Sequence, residues 1–201
     1  MKTNNCFFIE YPKKHEDDIR HGSLILHNYT SIKPEWKLIL HGKVIGIPAR
    51  FDYEFDQEII EGDTIYFDYL QVQESNMVEI DGKNYLRVDA FKTFAYVRDG
   101  VINAFGRYVI GSAIWDEHEV VEVNGKEIRV KTKGNLVIGT EIKYDKRTVN
   151  IDYVSKMGEE LGLQSGDKAI MLDYCDQKYK IEGKEYFVIE VENIIGKYTV
   201  C

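Results

Sequence analysis

EGDTIYFDYL (61–70), followed after a short loop by EIDGKNYLRVDAFKTFAYV (79–97), returns near the C-terminus as SGDKAIMLDY (165–174) and KIEGKEYFVIEVENIIGKY (180–198). Gly62-Asp63 echoes Gly166-Asp167, and Asp68-Tyr69 echoes Asp173-Tyr174. The run from Ile80 to Tyr85 echoes that from Ile181 to Tyr186. A self-match of this kind points to duplicated structural units before any other argument is made. It divides the 201 residues into two units, 1–100 and 101–201. Each is near the size at which one core is adequate but not generous.

Working outward, the same style of sequence continues on both sides. Fourteen Tyr, nine Phe and only three Pro favour strands and short turns. Cys6 to Glu10 reads as a first strand, and Trp36 to Ile47 as a strand bent at Gly42. Arg50 to Ile60 alternates around Phe51, Tyr53 and Phe55, a period of two that predicts a strand or hairpin. Asp81-Gly82 and Asn124-Gly125 are two-residue hairpin signals, and Asp99-Gly100 marks the end of the first unit. In the second unit Tyr108-Val109-Ile110 matches Phe7-Phe8-Ile9 at the offset that relates Gly82 to Gly183. Gly134 to Gly139 is matched to Gly42 to Gly46. Met157 to Leu163 has room for one helical turn. The fold class is all-β, two small, mostly antiparallel barrels in tandem.

The net charge of −8, with neither sign clustered, argues against a nucleic-acid surface or an anionic membrane as partner. Three cysteines, Cys6, Cys175 and Cys201, with no CxxC spacing read as reduced thiols in a cytoplasmic protein. No apolar run is long enough for a signal peptide or a membrane span.

The ordered set of pieces resembles the GroES-type co-chaperonins, the lids of the chaperonin ring. The residues that carry the likeness in the first unit are Gly22-Ser23-Leu24-Ile25-Leu26, Gly42-Lys43-Val44-Ile45-Gly46-Ile47, Glu61 to Phe67, and Thr93 to Val97. In the second unit they are Lys133 to Gly139, Ser165-Gly166-Asp167 with Ile170-Met171-Leu172, and Asn193-Ile194-Ile195. The tandem arrangement is similar to the double-length co-chaperonins of plastids. The resemblance implies two tandem GroES-like small β-barrels, a homo-oligomeric ring, and a GroEL-type chaperonin as partner in ATP-dependent protein folding. It implies no enzymatic activity, cofactor or metal of the chain's own. Gly22, Ser23, Leu24, Ile25 and Leu26 would be the chaperonin contact. The second unit departs from the pattern: between Ser112 and Lys133 it has a hairpin and no glycine-led apolar triplet, so only the first unit is expected to reach the ring.

Elementary energetics constrain that contact. Burying Leu24, Ile25 and Leu26 is worth about 1.5–3 kcal/mol each, while ordering a loop costs about 1–2 kcal/mol per residue. One arm therefore nets close to nothing, and useful affinity needs several arms on one rigid body. The other reading of the triplet is a buried strand of the first barrel.

The remaining chemistry favours structure over catalysis. His15, His21, His27 and His41 have no metal-ligand spacing. Asp63, Asp68, Asp167 and Asp173 recur because the units recur, and Gly-Asp before a strand is turn chemistry. No nucleophile elbow, P-loop or dinucleotide fingerprint is present. Phe51, Tyr53, Phe55, Tyr66, Tyr69, Tyr85 and Tyr96 suit packing better than a base-stacking platform. Two further functions stay open on the sequence: an assembly protein that keeps the barrel without chaperonin binding, and a small-ligand barrel using the Asp and Tyr positions.

Overall fold

Antiparallel pairing dominates throughout. The computed structural model describes residues 3–11, 18–21, 24–27, 39–115, 119–123, 126–133, 136–139, 144–172 and 177–198. Its contacts divide the chain into two units, Met1–Arg107 and Tyr108–Cys201.

The first unit contains β1 (Thr3–Asn4), β2 (Cys6–Glu10), β3 (Asp18–His21), β4 (Leu24–His27), β5 (His41–Gly46) and β6 (Pro48–Arg50). After these come β7 (Thr64–Phe67), β8 (Met77–Ile80), β9 (Lys83–Asp89), β10 (Thr93–Arg98) and β11 (Val101–Ala104). Its main sheet runs β8-β9-β2-β5-β7-β10-β11, while β1 pairs with β6 and β3 with β4 in separate ladders. The second unit contains β12 (Tyr108–Trp115), β13 (Glu119–Val123), β14 (Lys126–Lys133), β15 (Leu136–Gly139) and β16 (Tyr144–Val154). A short α-helix, α1 (Lys156–Glu160), precedes β17 (Lys168–Met171), β18 (Lys178–Ile181), β19 (Lys184–Glu190) and β20 (Ile194–Tyr198). Its main sheet runs β18-β19-β12-β16-β17-β20, and β13-β14-β15 form a second, three-stranded sheet. With β11 set aside, the two main sheets have the same strand order. Each chain segment that joins the first main strand to the second carries a hairpin outside the main sheet.

Eight positions of the two cores correspond, whereas Ile9, Tyr11, Tyr96 and Phe105 belong to the first core alone and Val149 to the second. Phe7, Val44, Ile59, Ile65, Phe67, Leu86, Val88 and Ala90 fill the first. Val109, Ile151, Leu163, Ala169, Met171, Phe187, Ile189 and Val191 fill the second. Burial of these side chains supplies the main driving force for each unit.

Pairing registers refine the sequence alignment of the two units. Phe7 lies opposite Val88, and Val109 opposite Ile189. Phe7 thus corresponds to Val109, one residue further along than the offset of Gly82 and Gly183 requires. The slip matters because one residue exchanges the buried and outer faces of a strand. Similarly, Val44 exchanges backbone hydrogen bonds with Gly62 and Asp63, at 2.9 and 2.8 Å, as Ile151 does with Gly166 and Asp167, both at 2.8 Å. The counterpart of Gly42–Gly46 is therefore in β16, and Gly134–Gly139 is not its match.

Three other expectations change. Asp99-Gly100 is a hairpin turn inside the first unit: both residues have positive φ, 51° and 78°, and β11 pairs back on β10. The contact division consequently falls after Arg107 rather than at residue 100. Second, the alternation at Arg50–Ile60 is not a strand, because β6 ends at Arg50. Phe51, Tyr53 and Phe55 instead pack on one another, with Tyr53 and Phe55 stacked at 5.3 Å, and Phe55 meets the core ring Phe105 edge-on at 5.3 Å. Packing, rather than a stacking platform, is what these rings do. Third, Gly42 does not bend its strand. A Cβ there would lie 2.6 Å from Ile9 Cδ1, so glycine permits close approach of β5 to β2. The helical turn expected at Met157–Leu163 is present earlier, as α1 at Lys156–Glu160, with the Ser155 hydroxyl accepting from the Gly158 N–H.

Candidate functional site

The connection between β2 and β5 carries the residues singled out as a partner contact. β3 and β4 form an antiparallel hairpin in the register His21 opposite Leu24, Arg20 opposite Ile25 and Ile19 opposite Leu26. Leu24, Ile25 and Leu26 are therefore strand residues of a two-stranded ladder, and β4 pairs with no strand of the main sheet among the described residues. Gly22 and Ser23, which join the two strands, lie outside the described residues, as do His15, Asp173, Tyr174, Cys175 and Cys201.

The two described ends of this connection are anchored in the unit's core. β2 enters the core through Phe7 and Ile9, both fully buried. Tyr11, at the end of β2, donates its hydroxyl hydrogen to the Ile39 carbonyl at 2.8 Å, on the return side of the connection. Burial pushes the Tyr11 phenol up to about 12, against the lowering effect of that hydrogen bond. The group is a neutral structural donor at any physiological pH. Between them, Tyr11 and Ile39 close the connection at its root.

The Gly-Asp turns frame β5 and β16 from the other side. Gly62 and Gly166 have φ of 100° and 93°, a region glycine enters without penalty. The following aspartates are buried and do the same work twice. Asp63 accepts from the Ile60 N–H at 2.9 Å and from Arg98 Nε and Nη2 at 2.8 and 2.7 Å. Asp167 accepts from the Gln164 N–H at 3.1 Å and from Lys197 Nζ at 2.8 Å. In each case the cation comes from the closing strand, β10 or β20. Arg98 also donates to the Glu58 carbonyl, and Lys197 to that of Gly162. The Asp63 hydrogen bond raises the Arg98 guanidinium above its ordinary value. Each carboxylate meets a backbone N–H and a cation, so these carboxylates act as locks on the turn. The partners lie far along the chain, and no local motif signals them.

Among the described residues, no three His, Cys, Asp or Glu side chains gather as a metal site. His41 stacks obliquely on Tyr66 at 5.3 Å. Cys6 carries a half-buried thiol pushed up by burial and by nearby Asp89. No helix among the described residues is long and apolar enough to cross a membrane.

A model of the chaperonin 10 Kd subunit family matches residues 116–198. The co-chaperonin GroES of Petrotoga mobilis is 31% identical over 67 residues, covering 33% of this chain and 75% of that protein. The chain belongs to the GroES co-chaperonin family. The co-chaperonin GroES of Fervidobacterium nodosum is 33% identical over 67 residues, again 33% of this chain and 75% of the relative. Membership fits the all-β architecture and the family is non-enzymatic, in accord with carboxylates used as turn locks. The family match lies in the second unit, where the co-chaperonin motif Ser165-Gly166-Asp167 sits in the turn just described.

Proposed function

We propose that this chain is a ring-forming co-chaperonin that caps a GroEL-type chaperonin in the cytoplasm and assists its ATP-dependent protein folding. Leu24, Ile25 and Leu26 on β4 make the contact, together with Gly22 and Ser23, which precede them in the sequence. The observation that carries this reading is the position of β4: a glycine-led apolar strand in a separate hairpin, within the connection between two core strands of a chain in the GroES family. We further infer that the units are two copies of one ancestral GroES-like barrel. Supporting this are the shared strand order, the matched cores and the repeated Asp63–Arg98 and Asp167–Lys197 locks.

The physics of the contact requires an oligomer. A hydrophobic strand of three residues gains too little to offset the ordering of its own loop, whereas several arms on one body bind at high effective concentration. Nucleotide hydrolysis belongs to the partner ring.

Mixing the protein with a GroEL-type chaperonin and ATP is expected to give co-sedimentation and an altered ATPase rate. Leu26→Asp, on a strand outside the main sheet, is expected to weaken binding at least about tenfold while leaving the far-ultraviolet circular dichroism unchanged. Absence of binding by the parent protein, or full binding by Leu26→Asp, would falsify the proposal.

A further inference from the structure

Both main sheets contain the same irregularity. In the first unit Phe8 lies opposite Gly46 and Ile9 opposite Val44, so Ile45 is the extra residue of a β-bulge in β5. In the second unit Ile110 lies opposite Tyr153 and Gly111 opposite Ile151, which makes Asp152 the extra residue of the matching bulge in β16. The repeat is an internal control. An exposed isoleucine serves at this position in the first unit, so the bulge itself does not require a carboxylate. The charges nearby have moved as well. Glu10 and Lys83 form an exposed ion pair at 3.7 Å in the first unit. By register, their places in the second unit are taken by Ser112 and Lys184. The Asp152 carboxyl hydrogen-bonds the Ser112 side chain, while its Oδ2 is buried and has no hydrogen-bond partner among the described residues. Its backbone is tied to the Gly-Asp turn: the Asp152 carbonyl accepts from the Ser165 hydroxyl at 2.9 Å, beside the bonds that Ile151 exchanges with Gly166 and Asp167. The first unit has Glu61 where the second has Ser165.

We propose that the Asp152 bulge is a proton-operated latch on the Ser165-Gly166-Asp167 turn, closed while the carboxyl holds its proton and loosened when it ionises. A neutral carboxyl leaves Oδ2 dry at modest cost, whereas an anion there lacks the donors that would replace its lost hydration. The groups facing it are already engaged. Lys184 on β19 acts on Asp152 through its charge, but its ammonium lies over the Tyr186 ring, 5.2 Å from the centroid. Tyr153 on β16 shares a hydrogen bond with Tyr186. Burial outweighs Lys184 and the Ser112 hydrogen bond, and the carboxyl is raised above its ordinary value. A folded value above the unfolded one keeps the latch closed below about pH 4 and loosens it as pH rises through the raised value. Ionisation draws the carboxylate towards water and Lys184, and the shift is felt at the Ser165 bond to the same residue's carbonyl. The device belongs to the free chain and stands apart from the capping reading.

Amide hydrogen exchange on the full chain, followed by NMR between about pH 4 and about pH 7 with each rate divided by that of an unstructured amide, tests the latch. Protection at Ile151 and Gly166 is expected to fall at least about threefold over that range. Val44 and Gly62 make the equivalent bonds in the first unit and are expected to keep their protection; Leu172, which bonds Asn193, is expected to change less than Ile151. In Asp152→Asn the fall disappears, and Asp152→Ile, which copies the first unit, gives the same result. The comparison within the parent chain needs neither variant to fold. Unchanged protection at Ile151 and Gly166, or an equal fall at Val44 and Gly62, overturns the latch. So does an equal fall at Leu172, which would mean loosening of the whole unit, or a fall that survives in Asp152→Asn.

Discussion

Asp152 shows how one side chain makes the fold respond to pH. It sits in β16, its Oδ2 is buried without a hydrogen-bond partner, and burial raises its carboxyl above the ordinary value against the lowering effect of a Ser112 hydrogen bond. The folded state therefore holds this proton more tightly than the unfolded state, whose aspartates titrate near about 3.9. Linkage fixes the sign: the contribution of Asp152 is most favourable below that pH and declines as pH rises through its raised folded value. Asp152→Asn removes the buried charge. It is expected to raise the melting temperature at pH 7, with the gain shrinking as the pH approaches 4. A gain that grows on acidification would contradict this account. Asp63 presents the opposite situation. Its side chain is only 3% exposed, but two donors from Arg98 and one backbone N–H meet it, so its charge is compensated where it lies.

At the level of elements, close contact between β2 and β5 sets the packing of the first unit. Gly42 leaves no room for a Cβ beside Ile9: Cδ1 would be 2.6 Å away and the Ile9 Cβ 3.1 Å. Gly42→Ala is expected to cost about 1–3 kcal/mol by overpacking. Ile9→Val deletes Cδ1, the nearer atom. In that background the alanine should cost clearly less, a coupling that a double-mutant cycle in urea reads directly. Additive losses would show that the strain arises elsewhere. The hairpins are set by a different device. Asp81-Gly82, Asp99-Gly100 and Glu182-Gly183 all have positive φ at both positions, the turn whose twist matches its flanking strands. Aspartate before glycine announces such a turn in sequence. Glutamate does so only by its place in the repeat.

Considered whole, the molecule repeats one strand order over two units. Under the proposed capping role, marginal affinity per contact strand calls for a multivalent assembly. Native mass measurement is expected to find a defined multiple of the 23.4 kDa chain. A monomer persisting at micromolar concentration would leave the arms without the multivalency on which capping depends.

Sequence alone determined what is encoded locally. The repeat at Gly62-Asp63 and Gly166-Asp167, the hairpin at Asp81-Gly82 and the all-β character were legible because turn chemistry and period-two burial act over a few residues. So was the family, from the order of its short motifs. Tertiary structure decided what depends on pairing across the chain. Only ladder register could match Phe7 to Val109 and Val44 to Ile151, since a slip of one or a few residues leaves a short aliphatic motif looking equally plausible. Only the packed core could show Phe51, Tyr53 and Phe55 gathered on one another with Phe55 against Phe105, because alternation records which side residues share and not whether a neighbouring strand exists. The cations that meet Asp63 and Asp167 arrive from closing strands distant in sequence, and folding alone brings those charges together.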